Sequence, residues 1–293
     1  MYDAADGTRR RAELPWPGAP VVTAAGPSVL VTDGRARAAL VDPATGRVAK
    51  VPAAALGFPK GCARCRASAE VLGLTPKGPL VAADGEFWVS GAWFGRDRAP
   101  AGTDARSGTA TALTPGQVLA RWHKARGAKR GATHDVWAVH DGASGRVVAT
   151  AECHKPAIAP GEHPEAVLSP GGRFLVAGNL AFDLARAKGF CFEDPDGSRP
   201  LTLTTVDDAG LVYGARDAAD ALAGGGAPVA VDLTEPGEEG RPDAVDLAPG
   251  TRLPAGVVPG AGLFRWTDPQ GRERLIAYAE KAETAEKTEK AAQ

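Results

Sequence analysis

The chain has 293 residues, of which 44% are hydrophobic and 24% are charged, and its formal net charge at pH 7 is −1. This ordinary globular composition allows a sizeable core, either in one large all-β domain or in two smaller ones. The near-neutral balance argues against a nucleic-acid partner, because such partners usually meet a strongly basic face.

The turn residues predict many short strands. Glycine and proline number 37 and 24 and are spread along the chain, which favours short strands over long helices. The hairpin pattern "LVDPATGRVAKVP" at 40–52 returns as "VHDGASGRVVATAEC" at 139–153. Asp suits such turns because its carboxylate accepts backbone N–H bonds, and Gly suits them because it tolerates positive φ.

The repeating unit is predicted to be a small antiparallel meander of four strands, lettered a to d. Strands b and c are apolar at consecutive positions, so both of their faces are predicted to be covered. A four-stranded unit that recurs every ~40–45 residues is typical of a propeller blade. Strand c is predicted to end at an aspartate in four copies, at Asp42, Asp141, Asp183 and Asp232.

Three stretches carry a family resemblance: "LVDPATGRV" at 40–48, "VHDGASGRVV" at 139–148 and "LSPGGRFLVAG" at 168–178. They resemble the bacterial repeats of WD-repeat-like and quinoprotein-like β-propellers, which follow the pattern Ser-Pro-Asp-Gly … Asp-x-x-Thr-Gly. The resemblance implies an all-β β-propeller built from four-stranded antiparallel blades. Such a ring displays loops on two faces and leaves a central funnel for a partner or ligand.

Six blades are predicted, with seven as the alternative. The last blade lacks a fourth strand, and "TRRRAEL" at 8–14 reads as an N-terminal strand that completes it and closes the ring. A seventh blade would lie upstream of this sequence or inside the poorly patterned segment 95–135. Residues 1–280 then form a single propeller domain, and the polar tail 281–293 is a frayed helix or disordered. The predicted blades span 19–52, 66–114, 116–153, 163–195, 199–249 and 252–280.

The sequence leaves the compartment open. No apolar run reaches the ~18 residues that a membrane helix needs, so no transmembrane segment is predicted. The N-terminus lacks the apolar core of a secretory signal. The protein is then cytoplasmic, or extracellular if an upstream export segment is missing. A single Asn, and 24 Arg against 10 Lys, indicate a high-GC, actinomycete-like bacterial source.

Four cysteines, Cys62, Cys65, Cys153 and Cys191, allow three disulfide pairings. All four are disulfide candidates if the protein is exported, and free structural thiols are the alternative. Cys62 and Cys65 form a Cys-x-x-Cys motif, which makes them weak candidates for a zinc half-site. Together with Cys153 and the neighbouring His154 they make a Cys/Cys/Cys/His set conceivable. We assign no metal and no cofactor.

All five histidines lie between His123 and His163, and four of them, His134, His140, His154 and His163, are weak catalytic candidates. An Asp–His contact near a blade turn more often fixes the turn than performs catalysis. We therefore assign no catalytic residue. A hydrolase or lyase with a His/carboxylate site in the central channel is kept as an alternative function.

The predicted function is a non-catalytic binding scaffold for another protein or a small ligand. Segment 95–135 is predicted to be the longest loop-like insertion and to provide the contact surface. The aromatic stretch "EFWVSGAWF" at 86–94 is otherwise expected to form core between blades, and any ring left on the rim would anchor a partner. An exported sensor or lipoprotein domain is a further alternative. The predicted contact residues are Trp93, Phe94, Arg121, Trp122 and Lys124.

Overall fold

A computed structural model of the chain confirms the predicted all-β class, since nearly all of its regular structure is strand. The backbone divides into two compact units, residues 1–166 and residues 167–293. The structure describes residues 11–17, 21–25, 28–33, 35–60, 64–83, 85–155, 166–194, 201–216, 227–234, 243–244, 251–258 and 261–279.

Within its described residues, the first unit contains three antiparallel sheets of four strands, each a meander in chain order. The first sheet consists of β1 (Val21–Ala25), β2 (Ser28–Thr32), β3 (Ala38–Val41) and β4 (Val48–Lys50). The second consists of β5 (Glu70–Thr75), β6 (Gly78–Ala83), β7 (Glu86–Val89) and β8 (Trp93–Phe94). The third consists of β9 (Thr109–Thr114), β10 (Gln117–His123), β11 (His134–Asp141) and β12 (Val147–His154). Short helical turns are α1 (Cys65–Ser68) and two 3₁₀ turns, Ala53–Leu56 and Gly95–Arg98.

The second unit repeats the pattern over the residues described there. One meander comprises β13 (Val167–Leu168), β14 (Phe174–Ala177), β15 (Leu180–Asp183) and β16 (Lys188–Cys191). The next comprises β17 (Leu201–Val206), β18 (Leu211–Arg216), β19 (Ala227–Asp232) and β20 (Asp243–Ala244). The last comprises three strands, β21 (Thr251–Val258), β22 (Ala261–Thr267) and β23 (Glu273–Ala279).

The repeated sequence pattern produces the same turn after β3 and after β11. In the first turn the Asp42 carboxylate accepts the backbone N–H of Ala44 at 2.8 Å, and the Gly46 N–H donates to the Asp42 carbonyl at 2.8 Å. In the second, the Asp141 carboxylate accepts the N–H of Ser144 at 2.8 Å, and Gly145 closes the turn at 2.8 Å. Strand c ends at its aspartate in three of the four predicted copies, β11, β15 and β19, whereas β3 ends at Val41, one residue before Asp42.

In the fourth meander, the consecutive apolar residues of strands b and c are buried along their length, as predicted, whereas burial alternates in β19 of the fifth. Every residue of β14 and β15 is buried, including Phe174 and Phe182 at 0% exposure. A strand covered on both faces does not need alternating polar residues. Phe174 belongs to a core cluster of the second unit that continues through β17, β18 and β19.

Two details of the predicted meanders are wrong. Segment 95–135 is not a loop-like insertion, because it contains β9 and β10. The boundary predicted at 114–116 separates two strands that belong together: Thr114 of β9 pairs with Gln117 of β10 across a tight turn. Pro115 and Gly116 form a hairpin turn inside one meander and do not separate two meanders.

Ring closure by the N-terminal strand stays a prediction. Residues 8–10 lie outside the described part of the chain, and residues 11–14 are not in a strand. Ala12 and Leu14 instead pack against the core of the first sheet, beside buried Trp16. The tail 281–293 also lies outside the described residues.

Candidate functional site

One end of the third sheet collects most of the described histidines. His123 ends β10 and lies opposite Asp135 of β11, while His134 of β11 lies opposite His154 of β12. Successive side chains of a strand point to opposite faces of its sheet. His123 and Asp135 therefore share one face, and His134 and His154 share the other.

On the Asp135 face, an exposed imidazole is held by a buried carboxylate. The Nδ1 of His123 lies 2.8 Å from Asp135 Oδ1, with the His123 side chain 49% exposed and that of Asp135 2% exposed. Lys155 Nζ lies 3.5 Å from the same oxygen and donates to the Gly131 carbonyl at 2.9 Å. A carboxylate oxygen accepts hydrogen bonds, so Nδ1–H of His123 is the donor to Asp135 and Nε2 takes no part in this bond. This geometry orients a general base.

On the opposite face, two imidazoles are packed against each other. The ring centroids of His134 and His154 are 3.8 Å apart, with their planes tilted by 42°. His134 is buried, and His154 is half-buried. The Thr133 hydroxyl lies 2.8 Å from His134 Nδ1, which fixes the orientation of that ring. The neighbouring Glu152 binds Lys124 Nζ at 2.8 Å.

The connection from β10 to β11, residues 124–133, is rich in cations, and we call it the basic loop. A series of turns shapes it: Ala125 N–H donates to Gly102, and the N–H groups of Ala128 and Gly131 donate within the loop. Arg130 adopts φ of 60°, a left-handed conformation that is unusual for a residue with a side chain. Its carbonyl is held by the N–H groups of Thr133 and His134, at 3.1 and 2.8 Å. The loop therefore has a defined shape.

His140 is a core residue. Its Nδ1 lies 3.0 Å from the Gly145 carbonyl, and the Trp122 indole N–H donates to its Nε2 at 3.3 Å. The ring is fully buried and stacks on Trp93, with Phe87 against its edge. Burial lowers the pKa of His140 against the opposing effect of its bond to Gly145. With both ring nitrogens bonded inside the core, His140 is not placed to act on a substrate.

The predicted contact residues do not form one surface. Trp93 and Trp122 are 3% and 0% exposed, so the expectation that they anchor a partner is corrected: strand alternation turns both indoles into the core. Phe94 is half-buried beneath the guanidinium of Arg96, at 5.5 Å. Arg121 is half-buried, and Lys124 is 14% exposed in its ion pair with Glu152.

The remaining predicted residues are the cysteines and His163. Cys65, Cys153 and Cys191 are disulfide-bonded in the structure. Cys62 and His163 lie outside the described residues. A sulfur in a disulfide is not a thiolate ligand, so Cys65 in this state does not form a zinc half-site. Among the residues that are described, no helix has the length and apolar character to cross a bilayer.

Sequence reasoning missed His123 and Asp135. His123 lies in the charged stretch "RWHKARGAKR" at 121–130, which by itself indicates a solvated loop, and Asp135 follows that stretch. The missing information is the register of the hairpin. His123, the last residue of β10, pairs with Asp135, the second residue of β11. Once the register is known, the Asp–His pair follows.

Comparison with solved structures gives matches of low sequence identity. No protein-family model and no curated protein matches the chain. BamB from Moraxella catarrhalis matches at 15% identity, covering 87% of this chain and 71% of that chain with a TM-score of 0.39. The β-propeller domain of the Trilobed protease from Pyrococcus furiosus matches at 8% identity, covering 89% and 86% with a TM-score of 0.43. Matches at this level carry no inference about function, and membership of the WD-repeat-like or quinoprotein-like repeats stays a prediction.

Proposed function

We propose that this chain is a non-catalytic β-propeller binding scaffold, with six blades closed by the N-terminal strand. Its partner is proposed to be a protein that presents an acidic segment to the basic loop. Six successive antiparallel meanders in the described residues, three in each compact unit, support the blade count. Buried aromatic contacts around His140 support a rigid third sheet that holds the loop.

The charge of the basic loop is the observation that carries this proposal. Arg126, Lys129 and Arg130 are exposed, and none of them makes an ion pair with another described residue. Residues 121–134 contain five Lys or Arg and no Asp or Glu, although the whole chain has a net charge of −1. A local excess of cations on an ordered loop attracts an anionic segment and fixes where it binds.

A defined acidic probe tests the proposal. A fluorescein-labelled deca-glutamate peptide, followed by fluorescence anisotropy, should bind the full chain at about 50 mM salt and be released at about 500 mM. The triple variant Arg126→Glu, Lys129→Glu, Arg130→Glu should weaken binding at least tenfold, because three attractive contacts become repulsive. The loop backbone bonds do not involve these side chains, so the variant should fold.

The matched control reverses three other exposed lysines of the first unit, Lys50, Lys60 and Lys77. This control has the same net charge as the triple variant, so it should keep most of the peptide affinity if the loop is the binding site. Equal loss in both variants would mean that net charge alone governs binding. A labelled single-stranded oligonucleotide that bound more than tenfold tighter than the peptide would contradict a protein partner.

An enzyme is the second candidate, and the Asp135–His123 pair is the observation that favours it. A buried carboxylate behind an exposed imidazole is the arrangement of a general base in a hydrolase or lyase. The chain should then hydrolyse an activated ester such as p-nitrophenyl acetate faster than the same concentration of free imidazole. His123→Asn and Asp135→Asn should each remove that excess rate. A rate that equals free imidazole for the unmodified chain would eliminate this candidate.

A further inference from the structure

We propose that His134 and His154 form a transition-metal site, with zinc as the ion to be tested. The proposal does not depend on partner binding by the basic loop. The two residues are directly opposed on β11 and β12, so both imidazoles leave the same face of the sheet. One ring nitrogen of each lies within 4.8 Å of the other.

The spacing suits a shared ion. Zinc binds imidazole nitrogen at about 2.0–2.1 Å, so two tetrahedral nitrogen ligands lie roughly 3.3 Å apart. The ring nitrogens lie within 4.8 Å of each other, so a shared ion requires them to approach by at most about 1.5 Å. A Glu193 carboxylate oxygen lies within the same distance of both nitrogens, which leaves one tetrahedral position for water.

A hydrogen-bond chain prepares His134 as a ligand. The Thr133 hydroxyl donates to the Arg130 carbonyl at 3.4 Å and lies 2.8 Å from His134 Nδ1. If the hydroxyl proton is directed to Arg130, the hydroxyl oxygen accepts from Nδ1–H, and Nε2 is then the ring nitrogen that would bind the ion. Metal-binding histidines usually have their second nitrogen bonded in this way, which orients the ring and raises its basicity.

Position also favours a ligand role over simple packing. His134 is 5% exposed, so its ring reaches the site without competition from bulk water, while half-buried His154 leaves a route for the ion. The Glu193 carboxylate offers an oxygen within 4.8 Å of both ring nitrogens, so the group nearest to the two imidazoles is an anionic donor that favours a dication. Lys124 is paired with Glu152 at 2.8 Å.

Zinc titration of the full chain tests the site. After removal of metals with a chelator, calorimetry at about pH 7.5 should show one Zn²⁺ per chain. His134→Gln and His154→Gln should each reduce the zinc affinity at least tenfold, and Thr133→Val should reduce it severalfold. Binding should weaken by more than tenfold at about pH 5.5, because protons compete with the metal for its ligands.

His123→Asn is the control, because His123 lies on the other face of the sheet and should leave zinc affinity within twofold. Zinc should also raise the melting temperature of the unmodified chain and of this control, but not of His154→Gln. That measurement keeps the test informative if His134→Gln folds poorly. Equal loss of affinity in the His123 control, or no zinc binding by the unmodified chain, would overturn the proposal.

Discussion

The repeated turn offers a sharp test of how the third sheet is packed. Gly46 and Gly145 occupy the same place after Asp42 and Asp141, and both have φ of 72°. A Cβ at Gly46 would meet only the Arg11 carbonyl, at 3.4 Å. A Cβ at Gly145 would lie 2.5 Å from the ring of Trp93. Replacing each glycine by alanine therefore applies the same backbone strain in two different surroundings.

The expected losses differ because one turn is packed and the other is open. A left-handed alanine costs roughly 1–2 kcal/mol, and the stiffer unfolded chain returns about 0.4–1 kcal/mol. Gly46→Ala should therefore lower the free energy of unfolding by about 1 kcal/mol. Gly145→Ala adds the cost of overpacking a buried indole, about 1–3 kcal/mol. Trp93 cannot easily move, because it is 3% exposed and donates to the Gly142 carbonyl at 3.2 Å.

Urea unfolding followed by circular dichroism gives both free energies. Gly145→Ala should be less stable than Gly46→Ala by about 1–3 kcal/mol, which is the overpacking term alone. Ala187 provides the opposite test, because it has φ of 53° at the same place after Asp183. Ala187→Gly should be neutral or more stable by up to about 1 kcal/mol. Equal losses in the two Gly→Ala variants would refute the packing of Trp93 on the second turn.

Three further predictions concern pH and the cysteines. Because burial lowers the pKa of His140 below 6.5, the unfolded chain binds more protons at this residue than the folded chain does. The free energy of unfolding should therefore fall as pH drops below 6.5. In urea titrations, His140→Gln should make that free energy less dependent on pH. Hydrogen bonds from Arg173 lower the pKa of Asp183 below 3.8. The contribution of Asp183 to stability is therefore complete above pH 3.8 and is lost as the pH falls further. Asp183→Asn should lower the free energy of unfolding by about 1.5–3 kcal/mol at neutral pH and by little in acid. Iodoacetamide, added with denaturant but without reductant, should leave Cys65, Cys153 and Cys191 unlabelled when the chain is analysed by mass spectrometry. A label on any of the three would contradict its disulfide bond.

The strands of this chain were predictable because each is bounded by strong local signals. Asp42 and Gly46 fix a turn through their own backbone and side-chain bonds, with no help from distant residues. The same signals misassigned β9, because Pro115 and Gly116 are compatible with a hairpin turn and with a break between units. A hairpin turn and a break between meanders differ only in which strand β9 pairs with, and strand pairing depends on residues beyond the turn itself.

The candidate site was less predictable, because it depends on register and burial. Sequence clustering selected His140, yet its two nitrogens are bonded to Trp122 and Gly145 inside the core. The same reasoning passed over His123, whose partner Asp135 is twelve positions away and becomes its neighbour only when β10 and β11 pair. The prediction that Trp93 contacts a partner failed because the sequence does not show which face of a short edge strand is covered.

The β10–β11 connection is the longest of the connections between the strands β9 to β12. β9 joins β10 through residues 115–116, and β11 joins β12 through residues 142–146, whereas β10 joins β11 through the basic loop, residues 124–133. Ordering each added residue costs roughly 1–2 kcal/mol of backbone entropy, and exposed Arg126, Lys129 and Arg130 bury little apolar surface in return. Sheet stability therefore does not account for the loop, which is the reason for proposing a binding role. The loop contributes only the Thr133 hydroxyl and the Arg130 carbonyl to the hydrogen bonds of His134, so the charge of its side chains and the zinc affinity should vary independently.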